Sequence, residues 1–280
     1  MDIGFVGAGK VGCSLGKYLS INGGHVTGYF SEEFQDAQDA AAFVEGAGVF
    51  RSLRELVAAH DAIFVTVPDG AIRPVWLRIL AHVQDPDNPL DIRGKLFFHC
   101  SGACTSDLFV EADQWGASRG SLHPLFAVSS KFDTYPELAK AFFSVEGSQA
   151  CVDFAEPLLL AAGNTVQVIA PEAKVRYHAA AVMASNQVVA LYRVASNQLV
   201  KCGFSPENAE AALGPLFLGN AEHIVEDGTV AALTGPAERG DSETIQKHLD
   251  CLDGQDREIY SLLTNVLYDI ATEKHGSSGR

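Results

Sequence analysis

The sequence begins MDIGFVGAGKVGCSLG, Met1 to Gly16, and the reading of that stretch decides the fold. Ile3, Phe5 and Val6 form a short apolar run that breaks at Gly7-Ala8-Gly9-Lys10-Val11-Gly12. Apolar residues return at Leu15, Tyr18 and Leu19 with helical spacing. This is G-x-G-x-x-G at a strand-to-helix turn, the context in which the motif binds a dinucleotide. Gly7 permits the sharp turn, Gly9 lets the backbone touch a pyrophosphate, and Gly12 lets the helix lie close on the strand. The helix N-terminus offers free N–H groups and a partial positive charge to the diphosphate. Gly7, Ala8, Gly9, Lys10, Val11 and Gly12 are therefore the expected cofactor-binding residues.

Outward from the loop, His25 to Phe30 reads as a second strand after the turn Asn22-Gly23-Gly24. The residue that meets the adenosine ribose in such a unit lies about 20 positions past the glycines. Here it is Ser31, not the acid that binds a free 2′-hydroxyl, which favours NADP while leaving NAD possible. Glu32 and Glu33 follow at once, and Lys10 is the nearest cation in the sequence. Residues 36–48 and 52–60 read as helices. Asp61 to Val67 is a nearly continuous apolar run of the kind found in a buried parallel strand. It ends at Pro68-Asp69-Gly70, at the carboxyl edge where open α/β sheets bind ligands. A helix over 72–82, a strand over 95–100 ending in Ser101-Gly102, and a strand edge at 120–125 follow. Two short strands (142–146 and 165–169) flank a helix over 154–162.

After Ala170-Pro171 no further strand is convincing. The expected architecture is an α/β Rossmann-like domain over 1–170, with a mostly parallel doubly wound sheet, and an all-helical domain over 171–280 for substrate binding and dimerisation. A single long interdomain helix from Pro171 to about Lys201 joins them, apolar on most faces and hence buried. Gly203 stops it, Ser205-Pro206-Glu207 starts the next helix, and Gly228 ends that one. Two more helices, about 242–251 and 256–273, close the chain, with His275 to Arg280 a disordered tail.

Composition sets the outer bounds. The 280 residues are 47% hydrophobic, enough for two modest cores, and the formal net charge of −15 argues against nucleic acid or an anionic membrane surface as partner. No apolar run approaches a membrane span, and no cleavable signal is evident, so a cytoplasmic location is expected. The six cysteines are scattered; Cys100 and Cys104 form C-x3-C without a second pair, so no metal site is expected.

The glycine loop, the order of domains and three further stretches carry a resemblance. G-S-L-H-P-L (120–125), Y-H-A-A-A-V-M-A-S-N (177–186) and L-T-G-P-A-E-R-G-D (233–241) resemble a family of predicted oxidoreductases. In it a Rossmann-like domain precedes a helical domain of unassigned function. That family is similar to the 6-phosphogluconate dehydrogenase-like superfamily, with pyrroline-5-carboxylate reductase, β-hydroxyacid dehydrogenase and ketopantoate reductase. Two departures stand out. Where the family often has Ser-Arg-Ser after the second strand, Glu32 takes the arginine's place. Where hydroxyacid dehydrogenases and ketopantoate reductases have Lys-x-x-x-Asn, the spacing from Lys174 lands on His178, with Asn186 two turns later.

The expected site lies where the strand ends meet the long helix. Val67, Pro68, Asp69, Ser101 and Gly102 would border the nicotinamide and its ribose, and His123 would point into the same cleft from a strand edge. On the helix, Lys174, His178 and Ser185 fall on one stripe with Asn186 beside it, and such polar groups on an apolar helix line water, a ligand or a partner. His178 has the intrinsic pKa of a proton donor, with Lys174 as the competing donor, and Ser185 and Asn186 suit a carbonyl polariser. Thr234, Arg239 and Asp241, just ahead of a helix N-terminus, suit a substrate carboxylate. Together these imply an NAD(P)-dependent oxidoreductase reducing a small carboxylate-bearing carbonyl or imine, acting as a homodimer through the helical domain. The alternative is a non-catalytic dinucleotide-binding sensor or scaffold.

Overall fold

The computed structural model describes residues 1–277 and divides into two compact units, one over Met1–Met183 and one from Ala184 onward. The first unit is built on a single eight-stranded sheet. In chain order its elements are β1 (Asp2–Val6), α1 (Lys10–Ile21), β2 (His25–Phe30), α2 (Phe34–Phe43), β3 (Gly48–Val49), α3 (Leu53–Ala59), β4 (Ala62–Val65), α4 (Asp69–Val83) and β5 (Leu96–His99). There follow β6 (Ser118–Leu125), β7 (Phe142–Gly147), α5 (Gln149–Ala161), β8 (Thr165–Val168) and α6 (Lys174–Ala184). The spatial order is β3-β2-β1-β4-β5-β6-β7-β8, and every neighbouring pair is parallel except β6 with β7. The order reverses between β1 and β4. That switch point opens a crevice at the carboxyl ends of the strands.

The two-residue period of the strands sends alternate side chains to two cores. Phe5, Phe64 and Phe98 face one side, where they pack with Leu15 and Leu19 of α1, Ala37 and Ala40 of α2 and Leu159 of α5. Their rings are cross-strand partners, stacked at 5.2 and 4.8 Å between centroids. Val6, Ile63, Val65 and Phe97 face the other side, against Leu56 and Val57 of α3 and Ile72 and Trp76 of α4. Helix α3 begins with a capping box, in which Ser52 accepts from the Glu55 amide and Glu55 accepts from the Ser52 amide. At its far end the His60 ring enters a slot left by two glycines that are register partners on β1 and β2. A methyl group on Gly4 would come within 2.7 Å of that ring, and one on Gly28 within 2.5 Å. The His60 Nδ1–H donates to the Leu56 carbonyl at 2.6 Å, and burial lowers the pKa of the imidazole.

The second unit contains α7 (Asn186–Lys201), α8 (Pro206–Ala232), α9 (Ser242–Cys251) and α10 (Gly254–Ser277). Ser205 caps α8 by accepting from the Asn208 amide at 3.2 Å, with Pro206 in the first position. Gly228, with φ +81°, kinks α8, and the helix resumes beyond it to Ala232.

Three expectations change. The long helix from Pro171 is not continuous: a 3-10 turn at Pro171–Ala173 leads into α6, and Ser185, with φ −125° and ψ −82°, separates α6 from α7. Serine and asparagine compete with the helix backbone for hydrogen bonds, so the pair Ser185-Asn186 suits a helix start better than an interior. The first unit runs past the end of the sheet to include most of α6. The C-terminal helix reaches Ser277 and takes in His275 and Gly276, while residues 278–280 of the expected tail lie outside those described. No described helix is long and apolar enough to cross a membrane.

Candidate active site

The glycine loop sits at the switch point and fits a dinucleotide diphosphate. Gly7 adopts φ +102°, and its amide donates to the Phe30 carbonyl at 2.7 Å, tying the loop to the end of β2. Thr66 Oγ1 donates to the Gly7 carbonyl at 2.8 Å from the end of β4. A methyl group on Gly12 would lie 2.4 Å from that same carbonyl oxygen and 2.6 Å from Thr66 Oγ1, so α1 is packed as closely as glycine allows. Gly9 is the opposite case. Nothing lies within 4 Å of where its Cβ would be, which is the open space a phosphate needs. Helix α1 has no side-chain cap and no acid in its first turn, so its positive end is uncompensated.

At the ribose end, Ser31 follows β2 directly. The fold brings in two cations that lie far away in sequence. Arg78 of α4 pairs with Glu32, and the Arg51 guanidinium lies 5.2 Å from the centre of the Phe34 ring. Lys10 is thus not the only cation in reach of this turn. The sequence carried no local signal for the two arginines, because a parallel crossover and a helix deliver them.

Beyond β4 and β5 the loops form a second cluster. Asp69 opens α4, and its carboxylate accepts the Ser101 hydroxyl at 2.8 Å. Ser101 Oγ in turn accepts from the amides of Ala103 and Cys104 at 3.2 and 3.0 Å. One donated and two accepted bonds use the hydroxyl fully, so Ser101 shapes the turn and has no capacity left for a ligand. His99 fixes the same turn from beneath: its Nε2–H donates to the Thr105 carbonyl at 3.0 Å and its Nδ1 accepts from the Ser101 amide at 3.2 Å. Burial pushes the His99 pKa down to about 4, consistent with this neutral tautomer. Glu146 of β7, 1% exposed, accepts from the amide and hydroxyl of Ser106 at 2.8 and 2.7 Å and holds the far end of the segment.

Lys174, the first residue of α6, is fully buried. Its ammonium donates to the Ser101 carbonyl at 2.8 Å and to Ser121 Oγ at 2.6 Å, joining the ends of β5 and β6. Burial lowers its pKa, with the Glu146 carboxylate the chief opposing influence. One turn on, Tyr177 and His178 face His123. The Tyr177 hydroxyl meets His123 Nδ1 at 2.8 Å, and the two imidazole rings lie edge to face, 6.2 Å between centroids. Burial, then the nearby Lys174 charge, brings the His123 pKa down to about 4, and burial raises that of Tyr177. Both rings converge on Gly102: a methyl group there would lie 2.6 Å from His178 Nδ1 and 2.9 Å from His123 Nε2. His178 Nδ1 is buried without a hydrogen-bond partner. Cys100 is pushed up to about 12 by burial and stays a thiol, and among the described residues no group of acids, histidines and cysteines is placed to hold a metal.

The structure therefore brings Asp69, Ser101, Gly102, His123, Lys174 and His178 together within the first unit. It adds Thr66, His99, Ser121, Glu146 and Tyr177, of which Ser121 and Tyr177 stood in motifs already singled out and His99 just before the Ser101-Gly102 loop. Ser185 and Asn186 lie across the helix break, with Ser185 Oγ donating to Asn186 Oδ1 at 3.2 Å, so the polar stripe ends at His178 as a regular helical feature. Thr234, Arg239 and Asp241 belong to the second unit. Asp241 caps α9, its two oxygens accepting the Thr244 amide at 3.0 Å and hydroxyl at 2.7 Å, so that carboxylate serves the helix. Thr234 lines an apolar cavity of about 490 Å³ among α7, α9 and α10, whereas Arg239 borders a separate depression with Tyr268 and Thr272 of α10.

Comparison with known proteins places this geometry in context. No curated protein matches the sequence. Residues 141–266, from the start of β7 into α10, match the family described as Domain of unknown function (DUF2520). Among solved structures, protein TM1727 from Thermotoga maritima is 24% identical with a TM-score of 0.75, the match covering 98% of this chain and 99% of that one. BF3122 from Bacteroides fragilis, assigned as an NADP oxidoreductase, is 23% identical with a TM-score of 0.65, covering 96% and 98%. A pyrroline-5-carboxylate reductase from Coxiella burnetii is 14% identical with a TM-score of 0.59, covering 97% of each chain. Over nearly its full length the chain shares the fold of these proteins, a Rossmann-like sheet unit followed by helices, and residues 141–266 are similar to the DUF2520 family.

Proposed function

We propose that the chain is an NAD(P)H-dependent oxidoreductase that reduces a small carboxylate-bearing carbonyl or imine. The observation that carries this reading is the buried, unpartnered Nδ1 of His178, converging with His123 on Gly102 at the sheet edge that also bears the glycine loop. An orphaned buried polar atom at a ligand-binding edge asks for a ligand. The loop Gly7 to Gly12 would hold the diphosphate, and Val67, Pro68 and Asp69 would border the nicotinamide half. The nicotinamide, when bound, supplies the hydride. His178 then gives a proton to the substrate oxygen or nitrogen. A hydrogen bond from the Tyr177 hydroxyl to His123 Nδ1 leaves the proton of neutral His123 on Nε2, aimed at Gly102, where it polarises the same substrate atom. Lys174 keeps Ser101 and Ser121, and so both strand ends, in register; its ammonium is already committed to them. The fold shared with an NADP oxidoreductase and a pyrroline-5-carboxylate reductase supports the reaction class. The apolar surface exposed along α8 supports a homodimer formed through the helical unit.

The test begins with a fluorescence titration of NADPH and NADH, followed by a screen of oxoacids and cyclic imines with the nucleotide that binds. On a substrate so found, His178→Ala is expected to lower kcat by about 10²–10⁴-fold, the usual range for a general acid, with nucleotide binding unchanged. Normal turnover by His178→Ala, with Lys174→Met inactive but folded, makes the lysine the donor instead. Nucleotide binding without turnover across the panel favours the non-catalytic alternative.

A further inference from the structure

The turn that follows β2 reads as contradictory. Ser31 leaves room for a 2′-phosphate, yet Glu32 and Glu33 would repel one. The fold resolves this with two guanidinium groups. The Gly7 amide, bound to the Phe30 carbonyl at 2.7 Å, fixes where β2 ends relative to the glycine loop and hence where an adenosine ribose would lie. Arg51 arrives from the strand next to β2. Tyr29 is the register partner of Val49, and the Phe50 amide donates to the Tyr29 carbonyl at 2.9 Å, so Arg51 emerges beside the end of β2. Its guanidinium lies 5.2 Å from the centre of the Phe34 ring, at the first residue of α2. Arg78 comes from the opposite direction, on α4, and its guanidinium meets the Glu32 carboxylate. The turn Ser31-Glu32-Glu33-Phe34 is therefore bracketed by two cations, and one of them is held by the acid that occupies the expected arginine position.

Building on the dinucleotide-binding part of the functional reading, we infer that Arg78 and Arg51 select the 2′-phosphate of NADPH, and that Glu32 sets the strength of the selection by competing for Arg78. The exchange costs little. The Glu32–Arg78 pair is solvent-exposed, with side-chain exposures of 71% and 51%, and exposed pairs contribute little to stability. A phosphate offers Arg78 two negative charges and a forked acceptor in place of one carboxylate. With NADH, which lacks the phosphate, Glu32 is instead positioned to accept from the free ribose hydroxyls. One turn thus serves either nucleotide, with the preference set by how Glu32 and Arg78 share their partners.

The experiment is a titration of NADPH and NADH against the full chain and against Arg78→Ala, Arg51→Ala and Glu32→Gln, each confirmed folded by its melting curve. Arg78→Ala is expected to weaken NADPH by about tenfold or more and leave NADH within about twofold, because the charge-assisted pair to phosphate is lost and the exposed pair with Glu32 contributes little. Arg51→Ala is expected to act in the same direction by a smaller factor. Glu32→Gln is expected to tighten NADPH and weaken NADH, widening the ratio between them. If the parent chain binds NADPH and Arg78→Ala weakens both nucleotides equally or neither, the inference is overturned while the functional reading stands. If Glu32→Gln leaves the ratio unmoved, Glu32 is not the competitor. A parent chain that binds neither nucleotide overturns the functional reading and this inference together.

Discussion

Helices α1 and α8 make an instructive pair. The 12-residue α1 buries Gly12, Cys13, Ser14, Leu15, Gly16, Tyr18 and Leu19, whereas α8, at 27 residues, buries Ala209 alone. Both carry many apolar side chains. Those of α1 are matched by a sheet, and those of α8 meet solvent: Leu216, Phe217, Leu218, Ile224 and Val225 are all exposed, Val225 to 85%. The contrast extends to the units as wholes. The first has two continuous cores, one on each face of its sheet, while the buried apolar residues of the second are Ala209, Leu233, Ala237, Ile245 and Ala271. An apolar surface of this extent on a folded helix is what the proposed homodimer would cover. The sheet unit has cores of its own, and in the proposed homodimer the helical unit would gain stability from association.

The largest test of that contrast is Phe64→Ala. Phe64 is 0% exposed and stacks on both Phe5 and Phe98, so truncation is expected to destabilise the sheet unit by about 3–5 kcal/mol in denaturant titration. A loss below about 1 kcal/mol, the scale of an ordinary surface change, would mean the core is not the source of stability. The complementary variant joins Leu216→Asp and Val225→Asp on α8. Light scattering at micromolar concentration is expected to show a dimer for the parent chain and a monomer for the variant, with hydrogen exchange accelerated in α8 and unchanged in β1, β4 and β5. A monomeric parent would remove the reason offered for the exposed face.

Acid is the gentlest probe. His99 and His123 both titrate near pH 4 in the folded chain, against an ordinary value near 6.5. The unfolded state therefore binds more protons between these values, and stability falls as pH drops through that interval. Above about pH 6.5 the contribution is fully present, and for His99 alone the loss by pH 5 is on the order of 1–2 kcal/mol. His99→Asn is expected to flatten the pH dependence of unfolding between pH 6.5 and 4 for the sheet unit. A pH profile identical to the parent's would show that the buried imidazole is protonated without penalty.

What was legible in the sequence follows the range of the interactions. The glycine loop, the apolar run of β4 and the cap before α8 are local, and they stand where their residues place them. The break at Ser185 was hidden because apolar residues continue on both sides of it, and periodicity does not register a single residue leaving the helical region. In the site, His123 and His178 could be named separately. Their convergence on Gly102 depends on β6 running beside β5 and on Lys174 anchoring the start of α6. Arg51 and Arg78 were out of reach for the same reason. Each is unremarkable in its own segment and acquires meaning only from the neighbour the sheet gives it. Ser101 shows the converse, a residue type that suits ligand binding but whose hydroxyl is fully used by Asp69 and by the amides of its own turn.

The slot that receives His60 bears on how such a sequence can drift. Gly4 and Gly28 face each other across β1 and β2, and the imidazole fills the space both side chains would need. A lineage that gains alanine at either strand position collides with the ring, and one that trades the ring for a small side chain is left with a hole beside two glycines. Each single step is penalised; a paired step relieves Gly4, whereas at Gly28 the Phe50 ring, as close as the imidazole, would have to give way as well. Gly4 and His60 are therefore coupled through one shared space, and Gly28 is tied to the His60 and Phe50 rings together.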